Sequence, residues 1–210
     1  MPTPSRMPGK KRSQKAGLPP GTLVHIGERK TETARISVVN YDEQRVDEKI
    51  LKDADECLAY KGMGGATWIN IDGLHEPVVL EKIGKIFDLH PLTLEDIANT
   101  DQRPKLEDYG EYLYVVIKML HRPNDKIVVE QLSLVIGKNV LISFQERQVT
   151  EFDPIRERLR NGKGRVRRLS VDYLAYQLLD AVIDNYFIVL ERLSEEVETL
   201  EEQIIASPKP

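Results

Sequence analysis

Two groups of acidic residues could bind a cation, and they lie far apart in the sequence. Glu95 and Asp96 are adjacent and closely follow the dipeptide His90-Pro91. Asp180 and Asp184 are four residues apart in a stretch that is rich in bulky apolar side chains. Like charges at this spacing on a helix repel each other weakly, and a divalent cation with oxygen ligands would reverse the sign of that interaction. These residue types therefore favour the binding of a hard divalent cation.

Each group also has a structural explanation that requires no ligand. Acids near the N-terminus of a helix interact favourably with the helix dipole by about 0.3–1 kcal/mol, which would explain Glu95 and Asp96. Acidic residues that share one sector of a helix are typical of a solvated face. The sector here contains one glutamine and six acidic residues: Gln177, Asp180, Asp184, Glu191, Glu195, Glu198 and Glu202. For Asp180 and Asp184 both explanations stay open, because a carboxylate among apolar residues needs a cation, a hydrogen-bond partner or a wet interface.

Asp180 lies in a stretch whose composition predicts one long helix. Residues 168–205 contain no Pro or Gly, and as a helix they would span roughly 57 Å at about 1.5 Å per residue. The first half is apolar almost all round, which predicts burial against the rest of the domain; its apolar residues are Val171, Leu174, Leu178, Leu179, Val182, Ile183, Phe187 and Leu190. The second half narrows to one apolar seam, which is typical of a helix with a partner helix: Leu193, Val197, Leu200 and Ile204.

Composition restricts the class of protein. The single cysteine, Cys57, excludes a disulfide framework and suits a reducing cytoplasm. The longest uninterrupted apolar run, residues 112–117, is far shorter than the about 20 residues of a membrane span, so we expect that this chain does not cross a bilayer. The formal net charge is −4, but residues 1–20 carry five basic and no acidic side chains, so the rest carries −9. An acidic body favours cations over nucleic acid as partners.

The pattern of elements predicts a three-part organisation. Residues 1–20 should be a disordered basic tail, residues 21–166 a folded domain, and residues 167–206 the long helix. Within the domain, alternating apolar residues predict strands at 22–27, 33–42, 66–73, 106–120, 125–139 and 140–146. Helix periodicity predicts helices at 53–61, 76–88, 92–99 and 152–161. This order predicts an α/β (α+β) fold, a three-layer α/β/α sandwich with a mixed, largely antiparallel sheet.

Sequence motifs give no support to an enzyme. The chain contains no phosphate-binding loop, dinucleotide fingerprint, HExxH motif or nucleophile elbow. One alternative is a soluble metal-dependent hydrolase, which would hold Glu95, Asp96 and Asp180 in one pocket of a single chain. Another alternative is an adaptor that binds nucleic acid through residues 1–20, with binding that weakens as salt rises.

Four segments, in the correct order and spacing, resemble the CorA family of magnesium and cobalt channels, specifically its cytoplasmic N-terminal domain. They are HPLTLEDIANTDQRPKLEDYGEYLYVVIKML (90–120), EQLSLVIGKNVLISFQE (130–146), FDPIRERLR (152–160) and DYLAYQLLDAVIDNYFIVLERL (172–193). The resemblance extends from about residue 34 to the C-terminus. It implies a mixed sheet between helices, followed by long helices that assemble as a homopentamer.

The resemblance also implies a function and a set of site residues. The family passes divalent cations into the cytosol, and its cytoplasmic domains bind Mg²⁺ between neighbouring subunits, which holds the pore closed. The sensing carboxylates that it implies are Glu95, Asp96 and Asp180, and Asp184 is an extension one turn further along the helix. Mg²⁺ is the expected regulatory ion, with Co²⁺ as a second possibility. The complete protein is expected in the cell membrane, with residues 21–166 on the cytoplasmic side.

The chain departs from the family pattern in two ways. The pore helices and their Gly-Met-Asn signature are missing, since Gly62-Met63 is followed by Gly64. A further sensing carboxylate comes from a later stalk helix of a neighbouring subunit, beyond residue 210. We therefore interpret the chain as a fragment that depends on missing C-terminal helices for membrane attachment. A zinc-transporting relative stays open as an alternative, in which His75 and His90 would join the site, although a histidine at a helix start is more often a cap.

Overall fold

A seven-stranded sheet forms the centre of the computed structural model, which describes residues 22–123, 126–162 and 164–206. The predicted tail of residues 1–20 lies outside the described residues. The strands are β1 (Arg35–Tyr41), β2 (Val46–Leu51), β3 (Ala66–Asp72), β4 (Lys105–Asp108), β5 (Leu113–His121), β6 (Val128–Ile136) and β7 (Val140–Gln145). Their order is β2-β1-β3-β7-β6-β5-β4, and β3–β7 is the parallel pair in an otherwise antiparallel sheet.

Helices cover both faces of this sheet. They are a 3₁₀ helix (Ala54–Tyr60), α1 (Pro77–Ile86), α2 (Pro91–Ala98), α3 (Asp153–Asn161) and α4 (Val171–Ala206). Because side chains alternate along a strand, Ile69 and Ile71 of β3 pack with α1 and α2 on one face, while Trp68 packs with α3 and α4 on the other. The predicted three-layer α/β/α sandwich with a mixed sheet and a long C-terminal helix is confirmed.

Three details of the strand prediction are wrong. Residues 22–27 form no regular strand; Ile26 makes only an isolated bridge to Asn99. Residues 106–120 are two strands, because the chain turns where Tyr109 N–H donates to the Tyr112 carbonyl at 3.0 Å. The strand β2 was not predicted at all, since at the edge of the sheet only its last residue is buried and its sequence VDEKIL shows no apolar alternation.

The first half of α4 is less buried than its sequence predicts. Its residues Val171, Leu174, Leu178 and Val182 are buried against the sheet as expected. In contrast, Ile183 is 41% exposed, Phe187 60% and Leu190 57%, so the prediction of burial within the chain is wrong for them. One stripe of the helix faces the sheet, and the remaining apolar side chains face away from it. Within the described part of the chain, no helix is both long and apolar enough to span a membrane.

Polar contacts fix α4 at the edge of the sheet. Asn185 Nδ2 donates to the carbonyl of Leu120, and the Tyr186 hydroxyl donates to that of Lys118. The strand β4 pairs only with residues 113–116 of β5, so it does not reach these carbonyls. Side chains from α4 thus satisfy strand-edge groups that would otherwise be unpaired at a buried edge.

We expect Gly65→Ala to lower the free energy of unfolding by about 1–2 kcal/mol, because two constraints meet at this position. The φ angle of Gly65 is +81°, and an added Cβ would lie 2.5 Å from the backbone oxygen of Tyr41. The neighbouring Gly64 is a matched control, since its Cβ would meet no described atom within 4 Å. Urea unfolding of both variants tests this prediction; equal losses would contradict it.

Candidate cation site

The short helix α2 presents the first predicted pair of acids. Its N-terminus is set by Pro91 and by His90, whose Nδ1 accepts a hydrogen bond from Leu92 N–H at 3.2 Å. Its position against α1 depends on Gly84, because a Cβ there would lie 2.3 Å from Cδ1 of Leu94. The imidazole of His90 therefore caps the helix, and it also packs in a tilted arrangement against the ring of Tyr109, with 5.5 Å between the ring centroids.

Asp96 already has partners within its own chain. Its Oδ2 lies 2.6 Å from the Nζ of Lys105, and its Oδ1 accepts a hydrogen bond from Gln102 Nε2 at 2.6 Å. The side chains of Asp96 and Lys105 are 20% and 27% exposed. The carboxylate is therefore partly desolvated and held in one orientation, and an incoming cation would have to compete with Lys105.

Lys105 is the counter-charge of Asp96, and it has a second acceptor within reach. Its ammonium lies 2.9 Å from Oε1 of Glu107 and 5.6 Å from the ring centroid of Tyr114. Burial alone would lower the pKa of Lys105, but the hydrogen bonds to Asp96 and Glu107 outweigh that effect and raise it. The ammonium stays charged, and Glu107 could retain it if another cation took Asp96.

Glu95, the neighbour of Asp96, faces an open cleft beside α2. The cleft has a volume of about 490 Å³ and is lined by Ile26, Glu95, Asn99, Asp101, Gln102, Arg103 and Lys105. Acidic and basic groups both line it, and Glu95 itself is half-buried. The cleft is wide enough for a hydrated ion, which keeps several of its waters when it binds to one or two carboxylates.

Asp180 and Asp184 are exposed on α4, on the other side of the sheet from α2. A single chain therefore does not bring the two pairs of acids together. Among the residues that the structure describes, no group of three or more His, Cys, Asp or Glu is placed to hold a metal ion. The hydrolase alternative required one pocket for Glu95, Asp96 and Asp180, and the fold gives it no support.

The two histidines of the zinc alternative have structural roles. His90 caps α2, whereas His75 lies in the loop that precedes α1. The Nδ1 of His75 lies 3.4 Å from Oγ1 of Thr31, and its Nε2 lies 3.3 Å from the carbonyl oxygen of Glu32. These contacts favour the capping explanation for His90 and a loop-fixing role for His75.

A buried ionic cluster that the sequence analysis did not predict lies near the ends of β5 and β6. The imidazole of His121 lies between two carboxylates, 2.8 Å from Oε2 of Glu130 and 2.7 Å from Oε1 of Glu151. Glu130 also pairs with Lys30 at 2.8 Å and with Arg147 at 2.9 Å. Since its members come from separate strands and loops, no local spacing signals this cluster. Lys30, His121 and Arg147 already compensate the charge of Glu130, which favours a structural role for the cluster.

The pKa values in this cluster follow from its pairing. Burial alone would lower the pKa of His121, but the hydrogen bonds to Glu130 and Glu151 raise it to about 9. Burial would raise the pKa of Glu130, yet His121, Lys30 and Arg147 together lower it to about 2. The His121 imidazole and the Glu130 carboxylate are therefore both charged at neutral pH.

Comparison with known proteins decides the family. A family model described as "CorA-like Mg2+ transporter protein" matches residues 64–210, well over half of the chain. The chain belongs to the CorA family. The cobalt/magnesium transport protein CorA of Thermotoga maritima is 40% identical over 205 residues, which cover 97% of this chain and 58% of that relative. The chain thus spans little more than half of the relative's length.

Solved structures of other proteins share the fold of this chain. The soluble domain of CorA from Methanocaldococcus jannaschii matches with a TM-score of 0.63 at 16% identity, over 82% of this chain and 65% of that one. The cytoplasmic domain of ZntB from Vibrio parahaemolyticus matches with a TM-score of 0.57 at 13% identity, over 79% of this chain and 64% of that one. At such identities the likeness concerns the fold alone.

Proposed function

We propose that this chain is the Mg²⁺-sensing cytoplasmic part of a CorA-type transporter for magnesium and cobalt. In the complete protein, a homopentamer in the cell membrane, residues 21–166 form the cytoplasmic domain and residues 167–206 lead toward the stalk and the membrane helices. Mg²⁺ binds between neighbouring subunits through Glu95, Asp96, Asp180 and Asp184 and favours the closed pore; Co²⁺ is a second ion for the same oxygen ligands. We propose no catalytic role.

The observation that supports this proposal is the placement of the two pairs of acids on opposite sides of one domain. Within one copy they cannot share an ion, but a neighbouring copy could bring its α4 against the α2 cleft of the first. Next to Asp184, the exposed side chains of Ile183 and Phe187 give α4 an apolar surface that suits contact with another subunit. The same helix would then supply both apolar contact and ion ligands.

The energetics of such a site suit a cytosolic sensor. Facing carboxylates of two subunits repel each other, and a hydrated Mg²⁺ between them removes the repulsion. A millimolar affinity corresponds to about −4 kcal/mol per site, which one or two carboxylates and retained waters can supply. The ion favours the closed assembly only by the difference between its affinities for the two states.

We expect Asp96→Asn or Asp180→Asn, introduced in the complete transporter, to leave a cation flux that no longer falls as internal Mg²⁺ rises. The amide keeps the size of the side chain but removes the charge that holds the ion. Asp88→Asn is the control, because Asp88 is an exposed carboxylate that pairs with Lys61 at 2.5 Å outside the proposed site. Measuring the cation flux at increasing concentrations of internal Mg²⁺ tests this prediction. Full inhibition by Mg²⁺ in both site variants would contradict the proposal.

We expect Lys105→Met to reduce the Mg²⁺ concentration for half-maximal inhibition by roughly three- to tenfold, or about 1 kcal/mol. The substitution keeps an apolar stem of similar length but removes the ammonium that competes for Asp96. Lys61→Met, which removes the partner of Asp88, is the matched control and should leave inhibition unchanged. An unchanged or higher Mg²⁺ requirement in Lys105→Met would show that Lys105 does not compete with the ion.

A further inference from the structure

A polar patch interrupts the apolar sheet face under α3, at the carboxyl ends of the parallel strands β3 and β7. Strand register places its side chains in two adjacent rows: Arg35, Asp72 and Gln145 in the first, and Ser37, Asn70 and Ser143 in the second. Between these rows and the start of α3 lies a cavity of about 90 Å³. The carboxyl ends of parallel strands are where open α/β sheets bind ligands.

Directional hydrogen bonds fix the orientation of every amide in the patch. Trp68 Nε1 donates to Ser143 Oγ at 2.9 Å, so the hydroxyl of Ser143 donates onward to Asn70 Oδ1 at 2.6 Å. Asn70 Nδ2 in turn donates to Asp72 Oδ1 at 2.9 Å. Because Asn70 Oδ1 also accepts from Gln145 Nε2 at 2.6 Å, the amide of Gln145 must turn its oxygen the other way.

Within this patch, three oxygen atoms have no hydrogen-bond partner among the described residues: Ser37 Oγ, Asp72 Oδ2 and Gln145 Oε1. All three residues line the cavity, and each is no more than 3% exposed. The nearest charge to Asp72 Oδ2 is Nη1 of Arg35 at 3.6 Å, which is too long for a hydrogen bond. A buried acceptor of this kind destabilises the folded state unless a donor reaches it.

The formal charges around the cavity sum to zero, so the unpaired oxygens call for hydrogen-bond donors and not for a net charge. It is lined by three arginines and three carboxylates: Arg35, Arg156 and Arg160 with Glu48, Asp72 and Asp153. Arg160 forms a bidentate pair with Glu48 at 2.6 and 2.9 Å, and the guanidinium of Arg156 lies over the ring of Trp68, 4.2 Å from its centroid. Burial raises the pKa of Asp72, and the hydrogen bond from Asn70 and the nearby arginines oppose that rise.

We propose that this cavity binds a small primary ammonium group, whose three N–H donors match the three unpaired oxygens of Ser37, Asp72 and Gln145. The volume admits only a few non-hydrogen atoms beyond the nitrogen. Two sources fit this chemistry: a simple alkylammonium ion, or the zwitterion of a small amino acid whose carboxylate would meet the guanidinium of Arg35. This site is independent of the Mg²⁺ site, since it uses none of the same residues.

Titration of the whole chain with methylammonium, glycine, potassium and acetate at constant ionic strength tests the proposal. The fluorescence of Trp68, which is hydrogen-bonded to the patch, and the midpoint of thermal unfolding report binding. We expect saturable binding of methylammonium and no response to potassium, which has the charge but no N–H donor. Tighter binding of glycine than of methylammonium would identify the amino-acid source; the reverse order would identify the alkylammonium source. Equal responses to potassium, binding of acetate alone, or no saturable response to either amine would overturn the proposal.

Variants locate the binding within the chain. Asp72→Asn keeps the shape of the side chain and should weaken methylammonium binding at least tenfold. Ser37→Ala removes one acceptor with a minimal change in volume and should weaken binding about threefold, so it provides the test if Asp72→Asn does not fold. Asp88→Asn is the matched control, because Asp88 is an exposed carboxylate that does not line this cavity, and the affinity of this variant for methylammonium should stay within about twofold of the parent. Unchanged affinity in Ser37→Ala and Asp72→Asn would overturn the assignment.

Discussion

Glu130→Gln should lower the free energy of unfolding by about 3–5 kcal/mol at neutral pH, the effect typical of breaking a buried ion pair from one side. The side chain of Glu130 is only 4% exposed and contacts three cationic groups within 2.9 Å: Lys30, His121 and Arg147. A neutral amide would leave those positive charges with too few acceptors in a poorly solvated place. Lys30 would keep Glu146 at 2.9 Å, and His121 would keep Glu151, so the cluster would be weakened and not abolished.

Urea unfolding at pH 7 measures this effect, and Asp88→Asn is the matched control. Asp88 also pairs with a lysine, but its side chain is largely exposed, and exposed ion pairs contribute little to stability. We expect the control to unfold almost as the parent does. A loss in Glu130→Gln no larger than that of the control would mean that the cluster is well solvated and that its charges do not depend on one another.

The layered fold was predictable because its strongest patterns are local. The apolar strand ATWINID became β3, and the helix spacing after Glu76 became α1, each within a few residues of the prediction. The strand β2 was not predicted because it lies at the edge of the sheet, where most of its side chains are exposed. Its sequence therefore shows no alternation of apolar and polar residues. Apolar and polar residues alternate over residues 22–27 as they do in a strand. In the structure, however, Ile26 lies beside Asn99 at the end of α2 and forms a single isolated bridge.

The candidate cation site was predictable only as a set of residue types. Sequence spacing and family resemblance single out Asp96 and Asp180, but neither indicates that Lys105 and Gln102 already hold Asp96. Exposure of Ile183 and Phe187 could not be predicted either, because an apolar helix looks the same whether its own chain or another one covers it. The assignment of Glu95, Asp96, Asp180 and Asp184 as Mg²⁺ ligands stays a prediction.

Long-range polar structure was beyond the reach of sequence spacing. The members of the His121 cluster lie far apart in the sequence; Lys30 and Glu130, for example, are separated by 100 residues. The row formed by Arg35, Asp72 and Gln145 depends on the register of β1, β3 and β7, which includes the parallel pair that no local turn specifies. Such clusters become visible only when the pairing of strands is known.

Raising the pH from 7 to 9 should lower the free energy of unfolding by about 2 kcal/mol, through the loss of the proton of His121. The pKa of His121 is about 9 in the folded protein and 6.5 for an ordinary histidine, so the folded state binds the proton more tightly. Its contribution, about 3 kcal/mol in total, is therefore fully present below pH 6.5 and is lost as the pH rises through 9.

Two other groups limit the range of pH in which His121 can be measured. Burial lowers the pKa of His25, which affects stability below pH 6.5, and burial raises the pKa of the Cys57 thiol to about 12, which affects stability above pH 9. Within the window from pH 7 to pH 9, His121→Gln should be less stable than the parent at pH 7 but should show an almost flat profile. A parent profile as flat as that of the variant would mean that Glu130 and Glu151 do not hold a charged imidazole between them.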